Sequence, residues 1–470
     1  MEPLSLTAAD VAAAAGGRVV RGDPAVIVGR VAIDSRTAQA GEFFVAIKGE
    51  RFDGHAFVAE AMARGIAGVV VHQPTAPPQG TAVATTPVVI QVEDTTRALQ
   101  AVAHDVRVRA GTRVVAITGS AGKTTTKEVA AEFLGARYRV FRNKGNLNNH
   151  IGLPLSLLEL RARPEIAVVE LGMNHPGEIR TLVGIAEPDV RVWTNVGDAH
   201  LGFFDSPDAI AQAKAEILEY ARPGDLLVAN ANDSRVMSRV KSFRGRVTTF
   251  GIDTSADVAA TTVDERGLDG VAAHLSTPAG DAELRTPLLG LGNLSNILAA
   301  TAVAIHFDVP VSQIVERAAS LRPATHRGEL LRLPGGITLV DDSYNSSPSA
   351  LRQALATVAK ARGCARRVAV LGEMLELGAH AERLHDQSGR AAADAGLDLL
   401  ITVGGAAARS LADAAIAAGM PRGSVAHVAT REEAADLALA RVRPGDLVLV
   451  KGSRGIGTDL VVDRLKAEFA

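Results

Sequence analysis

The stretch Ile117–Glu128, ITGSAGKTTTKE, gathers residue types that could hold an anion. Gly119 and Gly122 let the backbone come close to a ligand. The successive N–H groups from Gly119 through Ser120 and Ala121 to Gly122 can point inward as a nest. Lys123 supplies a point charge for terminal phosphates, and the hydroxyls of Thr124 and Thr125 follow, the first of them able to ligate Mg2+. The common phosphate-loop template asks for glycine six residues before the lysine. Ile117 stands there, so the loop is a shortened G-x-x-G-K-T form. RVVA before it reads as strand and VAAEFL after it as helix, which puts the loop at a helix N-terminus, a natural phosphate site.

Other residues able to do chemistry sit at the carboxyl ends of apolar runs. IAVVE ends in Glu170, which could hold Mg2+ as a strand-ending Asp does in ordinary nucleoside-triphosphatases. VRVWTNVGD runs into His200, and AIAQAKAEIL carries one lysine, Lys214. GNLSNILAA sets Asn293 and Asn296 three apart at a helix start, able to cap it or to read a purine edge. Arg327, in SLRPATHRG, and Asp342, in VDDSYNSSP, could bind phosphate and ribose. VLGEMLELG and VKGSRG put further charges at strand ends, and Arg454 offers a fork for a carboxylate. Each has a plainer reading when taken singly: a surface carboxylate, a structural histidine, a solvated lysine, a pair of helix caps.

These residues need a scaffold, and short apolar runs alternating with Ala-rich helical stretches supply one that is α/β throughout. A chain of 470 residues is expected to hold three domains. The spacing predicts a small N-terminal α/β domain over 1–92, a central P-loop ATPase-like domain with a parallel sheet over 93–322, and a Rossmann-like α/β domain over 323–470. EFFVAIKG and VVVH read as strands around a helix, HAFVAEAMARG, with PTAPPQGTA as a loop and 320–328 as a linker. Ligand loops belong at the carboxyl ends of such strands.

Composition removes several classes. With 50 basic and 52 acidic side chains, one Trp and three Tyr, there is no footprint for nucleic acid. No strongly apolar, uncharged window of 18 residues predicts a membrane span. Cys364 is the only cysteine, which excludes an intramolecular disulfide and a cysteine metal cluster, and suits a reducing compartment. The N-terminal run lacks a basic segment and reads as a short helix capped by Thr7 and ending at Gly16–Gly17. The expectation is a soluble, cytoplasmic monomer without nucleic-acid or membrane partners.

Taken together the motifs resemble the Mur ligase family of peptidoglycan synthesis, whose phosphate loop has the form T-G-x-x-G-K-T matched by Thr118–Thr124. IDSRTAQAGEFFVAIKGERFDGHAF is similar to that family's uridine-nucleotide region. NKGNLNNHIGLPLSLL, ELGMNHPGEI, NVGDAHL, AKAEI, DDSYN, LGEMLELG and VKGSR follow in the family's order over nearly the whole chain. The resemblance implies an ATP-dependent amide ligase that works through an acyl phosphate with two Mg2+ ions. It implies catalytic roles for Lys123, Glu170, His200 and Lys214. Thr124, Glu170, His200 and a carbamylated Lys214 would hold metal. Gly119, Ser120, Ala121, Gly122, Lys123, Thr124, Thr125, Asn293, Asn296, Arg327 and Asp342 would bind ATP. Ser35, Arg36, Asn146 and Asn149 would face the nucleotide-sugar substrate. Two positions depart from the pattern: Gly292 stands where the family often has His, and His326 where it often has Gly. The tetrapeptide D-N-P-R, typical of the diaminopimelate-adding branch, is absent, and DDSYNSSP stands in the comparable place. That favours the branch joining D-alanyl-D-alanine to UDP-N-acetylmuramoyl-tripeptide. A diaminopimelate- or lysine-adding relative, a folylpolyglutamate synthetase and a nucleotide-switch ATPase remain as alternatives, the last needing no amine acceptor.

Overall fold

The computed structural model describes residues 2–49, 52–73, 86–199 and 201–469. The expected loop at 74–82 and the candidate His200 lie outside them. The chain forms three α/β domains with sheets of five, nine and six strands, and it divides into two compact units. The first unit is Met1–Ala116 with Tyr138–Met173 and Gly177–Asp189; the second is Ile117–Arg137 with Asn174–Pro176 and Val190–Ala470.

In the first unit, β1 (Arg18–Arg21), β2 (Val31–Ala32), β3 (Phe43–Val45), β4 (Gly68–Val71) and β5 (Val88–Gln91) form a sheet of order β1-β5-β4-β3-β2. β2 to β5 pair in parallel and β1 closes the edge antiparallel. β3 and β4 are buried along their whole length, as a parallel sheet covered on both faces requires. Gly68 makes room for its neighbour: a Cβ there would stand 2.5 Å from the Phe43 ring. The expected helix after β3 is split into a 3-10 turn, Gly54–Phe57, and a helix, Val58–Ala63. Asp53 caps the turn by accepting from the His55 N–H. The helix Thr95–Ala110 starts on Asp94 and stops at Gly111, whose φ of 67° is left-handed. Thr7 caps the first helix, Ala8–Ala14, in a capping box with Asp10.

The nine-stranded sheet consists of β6 (Arg113–Thr118), β7 (Val140–Arg142), β8 (Ile166–Glu170), β9 (Val190–Trp193), β10 (Leu226–Asn230), β11 (Arg246–Ile252), β12 (Val258–Glu265), β13 (Val271–Ser276) and β14 (Ala282–Thr286). Its order is β14-β13-β12-β11-β10-β9-β6-β8-β7. The expectation of a parallel sheet holds from β9 to β12. It fails at β13 and β14, which return antiparallel. The reason is legible in β13, VAAHLS, where buried and half-buried residues alternate strictly. A strand with one wetter face suits an antiparallel meander.

The third sheet holds β15 (Glu329–Leu333), β16 (Ile337–Asp342), β17 (Arg366–Gly372), β18 (Leu399–Val403), β19 (Val425–Val428) and β20 (Asp446–Lys451), in the order β15-β16-β20-β17-β18-β19. All pairs are parallel except β15 with β16. Val368, Val370, Ile401, Val448 and Val450 pack against Ala434, Ala438, Val461 and Leu465 of the covering helices. β20 lies between β16 and β17, so the strand order reverses there, and the carboxyl ends of these strands make a ligand crevice. Among the described residues no helix is long and apolar enough to cross a membrane.

One buried histidine ties a loop of this crevice to the helix behind it. His385 is fully buried in the helix Ala381–Asp394. Its Nε2 accepts from the Met374 N–H at 2.9 Å, and its Nδ1 donates to the Ala381 carbonyl at 2.7 Å. The ring is therefore neutral, and burial lowers its pKa below the ordinary 6.5. The unfolded chain thus binds the proton more readily than the folded one. Stability is full above about pH 6.5 and is lost as pH falls from there toward the folded value. The melting temperature is expected to drop between about pH 7.5 and 5.5, and to drop less in His385→Gln. An equal drop in the variant contradicts this.

Candidate active site

Within the second unit the phosphate loop is gripped by the end of β9. The Ser120 N–H donates to the Asn195 carbonyl at 3.0 Å. The Ala121 N–H donates to Asn195 Oδ1 at 2.9 Å, and Asn195 Nδ2 donates back to the Ala121 carbonyl at 3.1 Å. Thr194 adds a bond from its hydroxyl to the same carbonyl at 2.7 Å. The expected nest of N–H groups is corrected accordingly, since those of Ser120 and Ala121 donate to Asn195. A phosphate is left the N–H groups at the start of the helix Lys123–Leu134. Lys123 folds over the loop, donating from Nζ to the Gly119 carbonyl at 2.8 Å. The glycines also serve packing. A Cβ on Gly119 would overlap the Thr194 hydroxyl, and one on Gly122 the Asn296 carboxamide. Both residues have positive φ.

Asn296 lies in the helix Gly290–His306. Its Oδ1 accepts from the Thr126 hydroxyl at 3.2 Å, and its Nδ2 donates to Asn293 Oδ1 at 3.4 Å. Asn293 donates to the Leu289 carbonyl at 2.9 Å. The plainer of the two readings of this pair, as helix caps, is not met: the helix starts on Leu289, and no side chain caps it. The structure thus brings Gly122, Asn296 and Asn293 together. It also brings two lysines together. Lys214 ends the helix Pro207–Lys214 and is 1% exposed. Burial drives its pKa well below the ordinary lysine value, and the charge of nearby Lys123 lowers it further. Both effects favour its neutral amine over the ammonium.

The crevice of the third sheet contributes the rest. Gly197 leaves space for Ser120 on one side and for Ser349, at the start of the helix Pro348–Lys360, on the other. Asp342 ends β16, and its Oδ2 accepts from Lys451 Nζ at 2.6 Å. Lys451, nearly buried, also donates to the Asn345 carbonyl at 3.0 Å. Arg327 lies over the Tyr344 ring, 4.1 Å from its centre, and Arg454 approaches the same ring at 5.7 Å. His326, in left-handed conformation at φ 61°, bonds Asp341 Oδ2 at 2.7 Å. This His–Asp bond gives a physical role to a residue that stands where glycine would be easier.

The first unit holds the remaining candidates. Glu170 is buried at the end of β8, and its Oε1 accepts from Asn148 Nδ2 at 2.6 Å. Asn143 supports it, accepting from the Glu170 N–H at 3.2 Å. Asn146 is exposed. Asn149 Oδ1 accepts from the Ile151 and Gly152 N–H groups at 3.2 and 2.8 Å, just before the helix Gly152–Leu158. Ser35 is buried and donates to Glu60 at 3.2 Å, whereas Arg36 is exposed and pairs with Asp34 at 2.7 Å. That ion pair, made in open solvent, brings the Asp34 carboxyl down to about 2.

Among the described residues no group of three or more His, Cys, Asp or Glu could hold a metal ion. In the second unit the Thr124 hydroxyl is half-buried in the first turn of its helix, and in the first unit the Glu170 carboxylate is fixed by Asn148. Hard oxygens of this kind suit Mg2+. Asn148, Asn195, Tyr344 and Lys451 escaped the reading of the motifs. All four lie inside stretches that stood out, but composition does not say which asparagine of NLNN faces a carboxylate.

Three family models match the chain: Mur ligase family, catalytic domain, over 28–107; Mur ligase middle domain over 117–304; and Mur ligase, glutamate ligase domain, over 326–454. The UDP-N-acetylmuramoyl-tripeptide–D-alanyl-D-alanine ligase of Bacillus subtilis (strain 168) is 33% identical over 440 residues, covering 93% of each chain. A crystal structure of MurF from Acinetobacter baumannii, 31% identical, matches 99% of this chain and all of its own with a TM-score of 0.88. MurF from Thermotoga maritima in complex with ADP, 28% identical, matches 94% of this chain and 97% of its own with a TM-score of 0.81. A phosphate loop, a buried lysine near it and an arginine-lined crevice therefore sit in a fold shared along its length with these ligases, and the chain belongs to the Mur ligase family.

Proposed function

We propose that the chain joins D-alanyl-D-alanine to UDP-N-acetylmuramoyl-tripeptide at the expense of ATP, in the synthesis of peptidoglycan precursors. The observation that carries this reading is the second lysine of the phosphate site. Lys214 is buried close enough to Lys123 to feel its charge, an arrangement a simple ATPase does not need. The full-length likeness to ligases of that name supports it, as does the missing D-N-P-R tetrapeptide.

A carboxylate is a poor electrophile, so ATP must activate it. The tripeptide's terminal carboxylate attacks the γ-phosphorus, the bond to ADP breaks, and an acyl phosphate forms. Lys123 and the N–H groups of its helix neutralise charge as that bond loosens. Asn293 and Asn296 support the adenine end, while Arg327 and Asp342 reach ATP from the C-terminal domain. Thr124, Glu170, His200 and a carbamate on Lys214 would hold Mg2+, which when bound offsets the phosphate charge. The amine of the dipeptide attacks the acyl carbon, the tetrahedral intermediate collapses, phosphate leaves, and the amine sheds its proton. Ser35, Arg36, Asn146 and Asn149 serve the nucleotide-sugar end, and Arg454 the acceptor side.

Residues 1–92 form the nucleotide-sugar domain, and 93–322 and 323–470 share ATP, closing about 320–328 to keep water from the acyl phosphate. The working unit is a single chain in the cytoplasm, where ATP and the UDP-linked precursor are available.

Phosphate release from ATP with UDP-N-acetylmuramoyl-tripeptide is expected to require D-alanyl-D-alanine and to yield the ligated product by mass. Release indifferent to the dipeptide would leave an ATPase. Lys123→Ala is expected to lower turnover by about 100-fold or more with unchanged circular dichroism; normal turnover would remove the loop from the mechanism. Lys214→Ala is expected to be similarly impaired and to regain activity with short carboxylic acids, while the CO2-depleted parent responds to bicarbonate. A fully active variant would end the carbamate assignment.

A further inference from the structure

Two glycines from distant parts of the second unit pack against each other. The turn Leu201–Phe203 follows His200 in the chain, and the LGEMLELG turn follows β17. The Gly202 N–H donates to the Glu376 carbonyl at 2.6 Å. Around that bond there is no room for a side chain. A Cβ on Gly202 would stand 2.9 Å from the Glu376 oxygen and 3.0 Å from the Gly378 nitrogen. One on Gly378 would stand 2.8 Å from the Gly202 Cα. These separations are well inside ordinary van der Waals contact. The central and third domains thus meet here backbone to backbone.

Both sides of the contact are held in place. Glu376 and Gly378 are left-handed, at φ 65° and 53°. Glycine adopts that conformation freely and glutamate does not, so the surroundings must impose it on Glu376. The Glu373 carboxylate accepts from the Gly405 N–H, His385 from the Met374 N–H and the Ser453 hydroxyl from the Leu375 N–H. Met374 and Leu377 are buried. On the other side Leu201 and Phe204 are buried, and the Phe203 ring meets His175 edge to face with centres 5.4 Å apart. An anchored and strained turn therefore presents one carbonyl to one N–H.

We infer that Gly202 and Gly378 are positioning residues: the LGEMLELG turn of the third domain sets the place of the segment that follows His200, so phosphoryl transfer depends on this joint. The inference rests on the ligase reading above, which gives His200 a part in that step. The phosphate loop is gripped separately, by Asn195. A side chain at either glycine pushes the two turns apart and leaves that grip alone. Turnover should therefore suffer while ATP binding does not.

The test pairs amide hydrogen exchange with ligation kinetics in Gly202→Ala, Gly378→Asn and the double variant. Gly202 has no positive φ, so only the contact opposes alanine there. Asparagine tolerates the left-handed turn at 378 and still brings a Cβ. The Gly202 amide is expected to exchange slowly in the unaltered chain and faster in Gly378→Asn, although that change lies in the other domain. In each single variant kcat should fall about tenfold or more, and in the double variant no further, with KM for ATP within about twofold of the unaltered value. Rapid exchange at Gly202 in the unaltered chain overturns the inference. So do a normal kcat in both single variants, losses that multiply in the double variant, or a KM for ATP that rises as kcat falls. If the unaltered chain ligates no dipeptide, the ligase reading fails, while exchange at Gly202 still reports whether the joint forms.

Discussion

The grip of Asn195 on Ala121 is the contact on which the rest of the site depends. One carboxamide accepts from the Ala121 N–H and donates to its carbonyl, while its own backbone takes the Ser120 N–H. A short loop with two positive-φ glycines has much freedom to lose. Asn195 removes that freedom before any ligand arrives, so binding energy need not be spent on ordering the loop. The grip is itself supported. Asn230 donates to the Thr194 carbonyl at 2.7 Å, and Asp233 accepts from the Val196 N–H at 2.7 Å. The end of β10 thus holds the end of β9, which holds the phosphate loop.

The third sheet uses the same device with charged groups. Lys451 is nearly buried and would be costly there alone. It is satisfied by Asp342 and the Asn345 carbonyl. One ammonium therefore joins the loops after β16 and β20, and Ser453 joins the loop after β17 through Leu375. His385 secures that last loop from behind through the Met374 N–H. The crevice at the strand reversal is a braced frame with Arg327, Tyr344 and Arg454 at its mouth.

The strands, the phosphate loop and the order of motifs were legible because each leaves a local signature. Apolar runs such as LLVAN and RVAVLG bury both faces, and G-x-x-G-K-T places its lysine by spacing alone. What was not legible depends on contacts distant in sequence. Asn195 is 74 residues from Ala121, and Lys451 is 109 from Asp342. The local reading of Asn293 and Asn296 as caps failed for the same reason, because Asn296 is turned toward Thr126, 170 residues away. The glycines of the loop were read for ligand approach, whereas Thr194 and Asn296 occupy the space a Cβ would need.

Lys214 shows how an unfavourable placement can point to chemistry. An ammonium group buried in this way, with another cation nearby, is opposed twice, by lost hydration and by repulsion. A fold could avoid both by placing leucine there. Keeping a lysine means its neutral amine, or what that amine becomes, is worth the loss. A carbamate reverses the sign of the residue, so the same Lys123 that disfavours the ammonium would favour the modified side chain. Perturbed groups of this kind gather at functional sites. Here the perturbation comes from the helix Pro207–Lys214 delivering its last residue into the core beside the phosphate loop. The electrostatics that disfavour the ammonium would thereby stabilise its carbamate, and burial shifts the side chain toward the neutral amine from which a carbamate forms.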